Sequence, residues 1–133
     1  MAEAYSGAPV SNKITVLTEK NSIAQQFLTE LRDKTIQQDR LRFNRNLERL
    51  GNIMAYEISR EMEYREVCTV TPLKETCTNV LATQPVVAGV LRAALPLQSG
   101  LAEFFDGADR AFVSAYRKYI DENTFDVVVE YMA

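Results

Sequence analysis

The passage PVVAGVLRAALPLQSG, residues 85–100, constrains the fold of this chain more than any other. Its first seven residues are an unbroken apolar run with no polar alternation. An antiparallel strand with one wet face alternates, whereas a strand of a parallel sheet covered by helices does not. The run therefore predicts a central parallel strand covered on both faces. Arg92, two alanines and Leu95-Pro96 follow at once, and proline suits the first turn of a helix. The helix expected from LPLQSGLAEFF closes at Asp106-Gly107. RAFVSAYRK is the next strand. Strand, helix and strand in this order predict a βαβ unit of an α/β sheet, and such sheets bind ligands beyond the carboxyl ends of their strands.

A buried strand has no use for a charge at its tip unless an anion arrives there. Arg92 ends the apolar strand, and small residues lead from it to a helix N-terminus, where unpaired N–H groups favour anions. Its guanidinium is a planar fork of donors that matches phosphate oxygens. Arg117 repeats the placement at the end of the following strand, with Lys118 beside it. Two neighbouring strand ends carrying arginine resemble a diphosphate clamp. The alternative is that Arg92 pairs with a carboxylate such as Glu130 or Asp121. No Walker-type loop and no G-x-G-x-x-G is present, so nucleoside triphosphate and dinucleotide folds have no support.

The flanking segments frame this unit. Residues 1–12 are small and polar and are expected to be mobile. KITVLT, residues 13–18, reads as a short strand. NSIAQQFLTELRDK reads as a helix, with Ser22 and Gln25 placed for a capping box and Ile23, Phe27 and Leu31 on one face. A long helix is expected over 38–64. Its apolar stripe of Phe43, Leu47, Leu50, Met54, Ile58 and Met62, widened by Ile53, is read as core, with a subunit contact as the second reading. The basic residues Arg32, Lys34, Arg40, Arg42, Arg45 and Arg49 alternate with acids and read as a solvated face. REVCTVTPL reads as a strand ended by Pro72, and KETCTNVLATQ as a connector. Residues 121–123 form a turn into TFDVVVEYM, whose alternation puts Phe125, Val127, Val129 and Tyr131 on one face. The last two strands make an antiparallel hairpin, a flap on the sheet.

Composition removes several chemistries. The 133 residues hold no histidine, which excludes Ser-His-Asp and Cys-His catalysis and any His-containing zinc site. Cys68 and Cys77 cannot make a metal site by themselves, so no metal ligands are assigned; they read as buried or incidental thiols, with a bridge as the alternative. A net charge of −3 argues against a dedicated nucleic-acid surface. No apolar run reaches membrane-spanning length and no signal peptide is visible, so no membrane role and a cytoplasmic location are expected.

The passage VVAGVLRAALPLQSGLAEFFDGADRAFVSAYRKY resembles uracil phosphoribosyltransferase, a type I phosphoribosyltransferase family. That family has an apolar strand ending in Leu-Arg-Ala-Gly, then a helix, then a strand ending in Tyr-Arg. Leu91-Arg92-Ala93 and Tyr116-Arg117 stand in those places, and LRDK (31–34), LGNIMAYEIS (50–59) and TPL (71–73) agree upstream. The resemblance implies a partial phosphoribosyltransferase-type parallel sheet with N-terminal helices and a β-hairpin flap, over residues 13–133. It implies transfer of a phosphoribosyl group from 5-phosphoribosyl 1-diphosphate to uracil, giving UMP and diphosphate, with Mg2+ on the sugar diphosphate and a homodimer or higher homo-oligomer as the working form. Arg92 and Arg117 become the diphosphate-binding arginines, and no catalytic residue is identifiable in this chain.

The family often holds the loop after this strand with an unusual, sometimes cis, non-proline peptide. Two departures stand out there and upstream. Ala94 occupies a place where the family has glycine, and alanine permits a positive φ poorly. Asn44 follows Phe43 where the family commonly has arginine. The family also continues past the hairpin with an Asp-Pro-Met-Leu-Ala-Thr-Gly type phosphate loop and a uracil-recognition segment. The chain is therefore expected to be the N-terminal part of such an enzyme and inactive alone. A non-catalytic anion-binding or regulatory relative and a dimerisation module are the alternatives.

Overall fold

The computed structural model describes residues 14–120 and 124–132. The expected mobile N-terminus and the turn at 121–123 lie outside the described residues. The described chain runs α1 (Ile23–Arg32), a short 3-10 turn (Ile36–Gln38), α2 (Arg40–Ser59), β1 (Tyr64–Val70), β2 (Glu75–Leu81), β3 (Val86–Leu91), α3 (Leu95–Ala102), β4 (Asp109–Tyr119) and β5 (Phe125–Met132). The α/β class expected from the sequence is present. β3 and β4 are parallel, β4 and β5 antiparallel, in the order β3-β4-β5, and β1 pairs with β2 in a separate antiparallel hairpin.

Local chemistry explains the helix ends. Asp39 caps α2 by accepting from the Arg42 N–H at 3.0 Å. Ser22 precedes α1 in an extended conformation, but its side chain caps nothing; the predicted capping box does not form. The Gln25 amide donates instead to the Thr18 carbonyl at 3.1 Å, tying the entering chain to the helix. That chain, residues 14–20, is irregular rather than the expected strand. An isolated alternating run of two or three apolar residues needs a neighbouring strand to satisfy its backbone, and none of the described strands pairs with it.

The tertiary core differs from the expected one. The stripe from Phe43 to Met62 is only half-covered, and Ile58 is exposed. The buried positions of α2 are Asn46, Gly51 and Ala55, and those of α3 are Gln98, Gly100 and Ala102. Small residues dominate because the two helices cross backbone to backbone. A Cβ on Gly51 would meet the Leu97 carbonyl oxygen, the Leu101 nitrogen at 2.9 Å and the Gly100 Cα at 3.0 Å. A Cβ on Gly100 would meet the Glu48 carbonyl oxygen and, at 2.8 Å, its carbon.

Where α1 meets α2 the contact is polar. The buried Asn46 amide donates to Glu30 at 2.7 Å and its oxygen accepts from Arg49 at 2.9 Å. Arg49 also lies over the Phe27 ring, 5.1 Å from its centre, where the ring face attracts the cation. The other arginines of this region are exposed, as expected; Arg45 pairs with Glu48 at 2.7 Å and Arg42 with Glu30 at 3.4 Å.

Two strand assignments need correction. KETCTNVLATQ is not a connector: Glu75–Leu81 pairs residue by residue with Tyr64–Val70, and Thr71 closes the turn by donating its hydroxyl to the Lys74 carbonyl at 2.6 Å. β3 is parallel, as predicted, but not covered on both faces. Val87 is buried against α3, while Val86 and Val90 on the other face are 65% and 52% exposed. β3 is also the edge of its sheet among the described residues. The cysteines are exposed rather than buried, and they are bridged: Cys68 and Cys77 are direct partners in the β1–β2 register and form a disulfide.

Candidate anion-binding site at the end of the parallel pair

The turn from β3 into α3 is short and closely packed. Ala94 N–H donates to the Val90 carbonyl and Leu95 N–H to the Arg92 carbonyl, both at 3.2 Å, so strand and helix are joined by overlapping turns. The Leu91–Arg92 peptide is cis, the kind of non-proline peptide that the family resemblance led us to expect in this loop. Ala94 has φ −74° and ψ −14°, ordinary helical values, so alanine in a glycine place meets no steric objection. Pro96 falls in the first turn of α3, as predicted.

Two residues that the sequence reading passed over hold this turn in position. Gly89 faces α3; a Cβ there would stand 3.1 Å from the Ala94 Cβ and 3.4 Å from Gln98 Cδ. The missing side chain lets the Gln98 amide lie against the sheet, where it is 3% exposed. Its Nε2 donates to the Val87 carbonyl at 2.8 Å and to the Ala111 carbonyl at 3.3 Å, joining α3 to both parallel strands. A buried amide is stable only when its hydrogen bonds are made, and Gln98 is left with no unsatisfied buried side-chain atom. The signal was present in the sequence as a lone polar residue in LPLQSGLA and a lone glycine in VVAGVL.

Arg92 and Arg117 are both exposed. Leu91 pairs with Ser114, so Arg92 stands just past the last paired residue and Arg117 three positions beyond Ser114 on β4. Both belong to the carboxyl end of the parallel pair. Strand alternation puts Arg117 on the sheet face of Val113 and its partner Val90, away from α3. Arg92 lies outside the paired strand, so alternation sets no face for it.

Of the two carboxylates considered as partners for Arg92, Asp121 lies outside the described residues. Glu130 is engaged elsewhere: it accepts a hydrogen bond from the Tyr116 hydroxyl, and this bond together with its charge raises the tyrosine pKa above 10.0. Glu130 is the extra residue where the β4–β5 register slips, since Ser114 pairs with Tyr131 and Ala115 with Val129. Such bulges re-aim side chains. No ion pair joins Arg92 to a carboxylate among the described residues.

Comparison with known proteins gives the family and the fold. The family model for uracil phosphoribosyltransferase matches residues 17–132. A uracil phosphoribosyltransferase from Porphyromonas gingivalis is 48% identical over 117 residues, covering 88% of this chain and 54% of that protein. One from Pyrococcus furiosus is 39% identical over 101 residues, covering 74% of this chain and 43% of that protein. The chain thus spans about half the length of the curated relatives it matches. The solved structure of the AQ2163 protein from Aquifex aeolicus shares the fold with a TM-score of 0.65 at 22% identity, over 83% of this chain and 50% of that one. No helix among the described residues is long and apolar enough to cross a membrane. With the family model matched across all but the termini, the chain belongs to the uracil phosphoribosyltransferase family.

Proposed function

We propose that this chain is the N-terminal portion of an enzyme that transfers the phosphoribosyl group of 5-phosphoribosyl 1-diphosphate to uracil, releasing diphosphate, and that it contributes the diphosphate clamp. The observation that carries the reading is Arg92: exposed, without a carboxylate partner among the described residues, and set at the carboxyl end of a parallel strand where a short turn enters a helix. Arg117 on the neighbouring strand is its companion. As the bond between ribose C1 and the diphosphate oxygen breaks, negative charge builds on the leaving group. Cations already in place stabilise that charge without reorganisation. Magnesium arrives with the sugar diphosphate as part of the substrate, and the arginines act beside it on the remaining oxygens.

The test is Arg92→Ala in the complete enzyme. Loss of a hydrogen bond to a charged group costs about 1.5–3 kcal/mol, roughly a 10- to 150-fold weaker affinity for the sugar diphosphate. An unchanged affinity overturns the assignment. The 133-residue chain alone is expected to self-associate and to form no UMP from uracil, 5-phosphoribosyl 1-diphosphate and magnesium. Turnover by it would mean that residues within the chain hold the ribose phosphate and the base.

A further inference from the structure

The β1–β2 hairpin carries a cluster that the transfer reaction does not use. Both strands are exposed along almost their whole length, with only Val67 and Leu81 half-covered. A two-stranded hairpin without a core is marginal in water, so its cross-strand links decide whether it stays formed. One such link joins Cys68 to Cys77. Glu66 lies two residues before Cys68, hence on the same face of β1. The Glu66 carboxylate oxygen and both sulfurs lie within 4.8 Å of one another, all on exposed residues.

We propose that the reduced hairpin is a site for a thiophilic divalent metal ion, with Cys68, Cys77 and Glu66 as ligands, and that the disulfide is its closed, metal-free state. The site opens by thiol–disulfide exchange. Two equivalents of a small-molecule thiol of the glutathione class give up two electrons and two protons and leave as their own disulfide. Cys68 and Cys77 become thiols, and the S–S bond is broken. Zinc then displaces the two thiol protons. Tetrahedral zinc with Zn–S bonds of about 2.3 Å separates its two sulfurs by roughly 3.8 Å, a span that two directly opposed cross-strand residues can reach. The carboxylate supplies a third ligand and water completes the shell, the composition of an open zinc site. Thiolates and one carboxylate favour zinc over magnesium or calcium, which take oxygen ligands. Either link braces the same pair of strands, so the hairpin exchanges one clamp for the other as the thiol poise changes.

The test uses the full 133-residue chain, reduced and handled without oxygen, with zinc titrated against a chromophoric chelator and cobalt as a spectroscopic probe. The reduced chain is expected to take one zinc per molecule and to show thiolate-to-cobalt charge transfer, and the oxidised chain to do neither. Glu66→Gln should weaken zinc roughly 10- to 100-fold, at least the loss seen when supporting groups of a metal site are removed, while keeping the charge-transfer band. Cys77→Ser should lose more. Equal zinc uptake by the oxidised chain or by Cys77→Ser overturns the site, and an unchanged affinity in Glu66→Gln overturns the third ligand and with it the proposal. Amide exchange of β1 and β2 guards against a variant that merely unfolds. Zinc must restore protection to the reduced wild-type hairpin, and failure to do so also refutes the site.

Discussion

Gly100→Ala should destabilise the chain even though alanine is the better helix former. The new Cβ would meet the Glu48 backbone of the facing helix, with the carbonyl carbon at 2.8 Å and the Cα at 2.9 Å. Ordinary contact distances are 3.4–4 Å, so α2 and α3 must part by more than half an ångström. No side chain can swing aside, because the obstacle is backbone on both helices. Overpacking of this kind costs about 1–3 kcal/mol, and the rigid obstacle argues for the upper end. Alanine returns about 1 kcal/mol of helix propensity. The net loss is then about 1–2 kcal/mol, which for a domain of this size lowers Tm by roughly 4–8 °C. Thermal melting followed by circular dichroism reads it directly. Gly107→Ala is the control, since its Cβ would meet only the Gln84 side chain, at 3.1 Å. A Gly100→Ala chain that melts at or above wild type would show that the helices separate freely, and the backbone-contact argument would fail.

Three further outcomes are expected. Gln98→Leu removes both bonds from α3 to the strands and leaves the Val87 and Ala111 carbonyls short of a donor, so urea unfolding should report a loss of about 1–3 kcal/mol; an unchanged midpoint would remove Gln98 from the account of how the turn is held. The Asn46 amide, then the Gln26 amide and the Arg42 charge, hold the Glu30 carboxyl below its usual 4.5, so its stabilising effect is full above pH 4.5 and disappears as pH falls through the lower folded value. Glu30→Gln should flatten acid unfolding in that window without abolishing it, because Asp33, accepting from the Ile36 and Thr35 amides, is lowered from 3.8 in the same sense; an acid limb as steep as wild type would contradict the network. Gly89→Ala should push Ala94 and Gln98 by a few tenths of an ångström and, in the complete enzyme, weaken sugar-diphosphate binding more than a remote surface change such as Gly107→Ala does; equal affinities would uncouple this packing from the site.

Periodicity and punctuation alone placed β3, α3, β4 and β5, because each is specified within its own segment. An unbroken apolar run, a proline at a helix start and an alternating tail need no knowledge of what lies beside them, although α3 ends at Ala102, short of the stop expected at Asp106-Gly107. The same local reading brought Arg92 and Arg117 to neighbouring strand ends, since a parallel βαβ unit leaves little choice of topology. What it could not reach depends on partners. Residues 14–18 alternate like a strand but pair with none of the described strands, whereas ETCTNVL lacks a strand's apolar pattern and becomes β2 because β1 supplies the hydrogen bonds. The α2 stripe was read as core from its spacing, yet the buried line runs through Asn46, Gly51 and Ala55. Which face of a helix is buried follows from where its neighbour's backbone comes closest, and here that is where two glycines meet. Gln98, Gly89 and the Cys68–Cys77 bridge share this origin: each is a fact about two separate elements, decided only when packing or strand pairing brings them together.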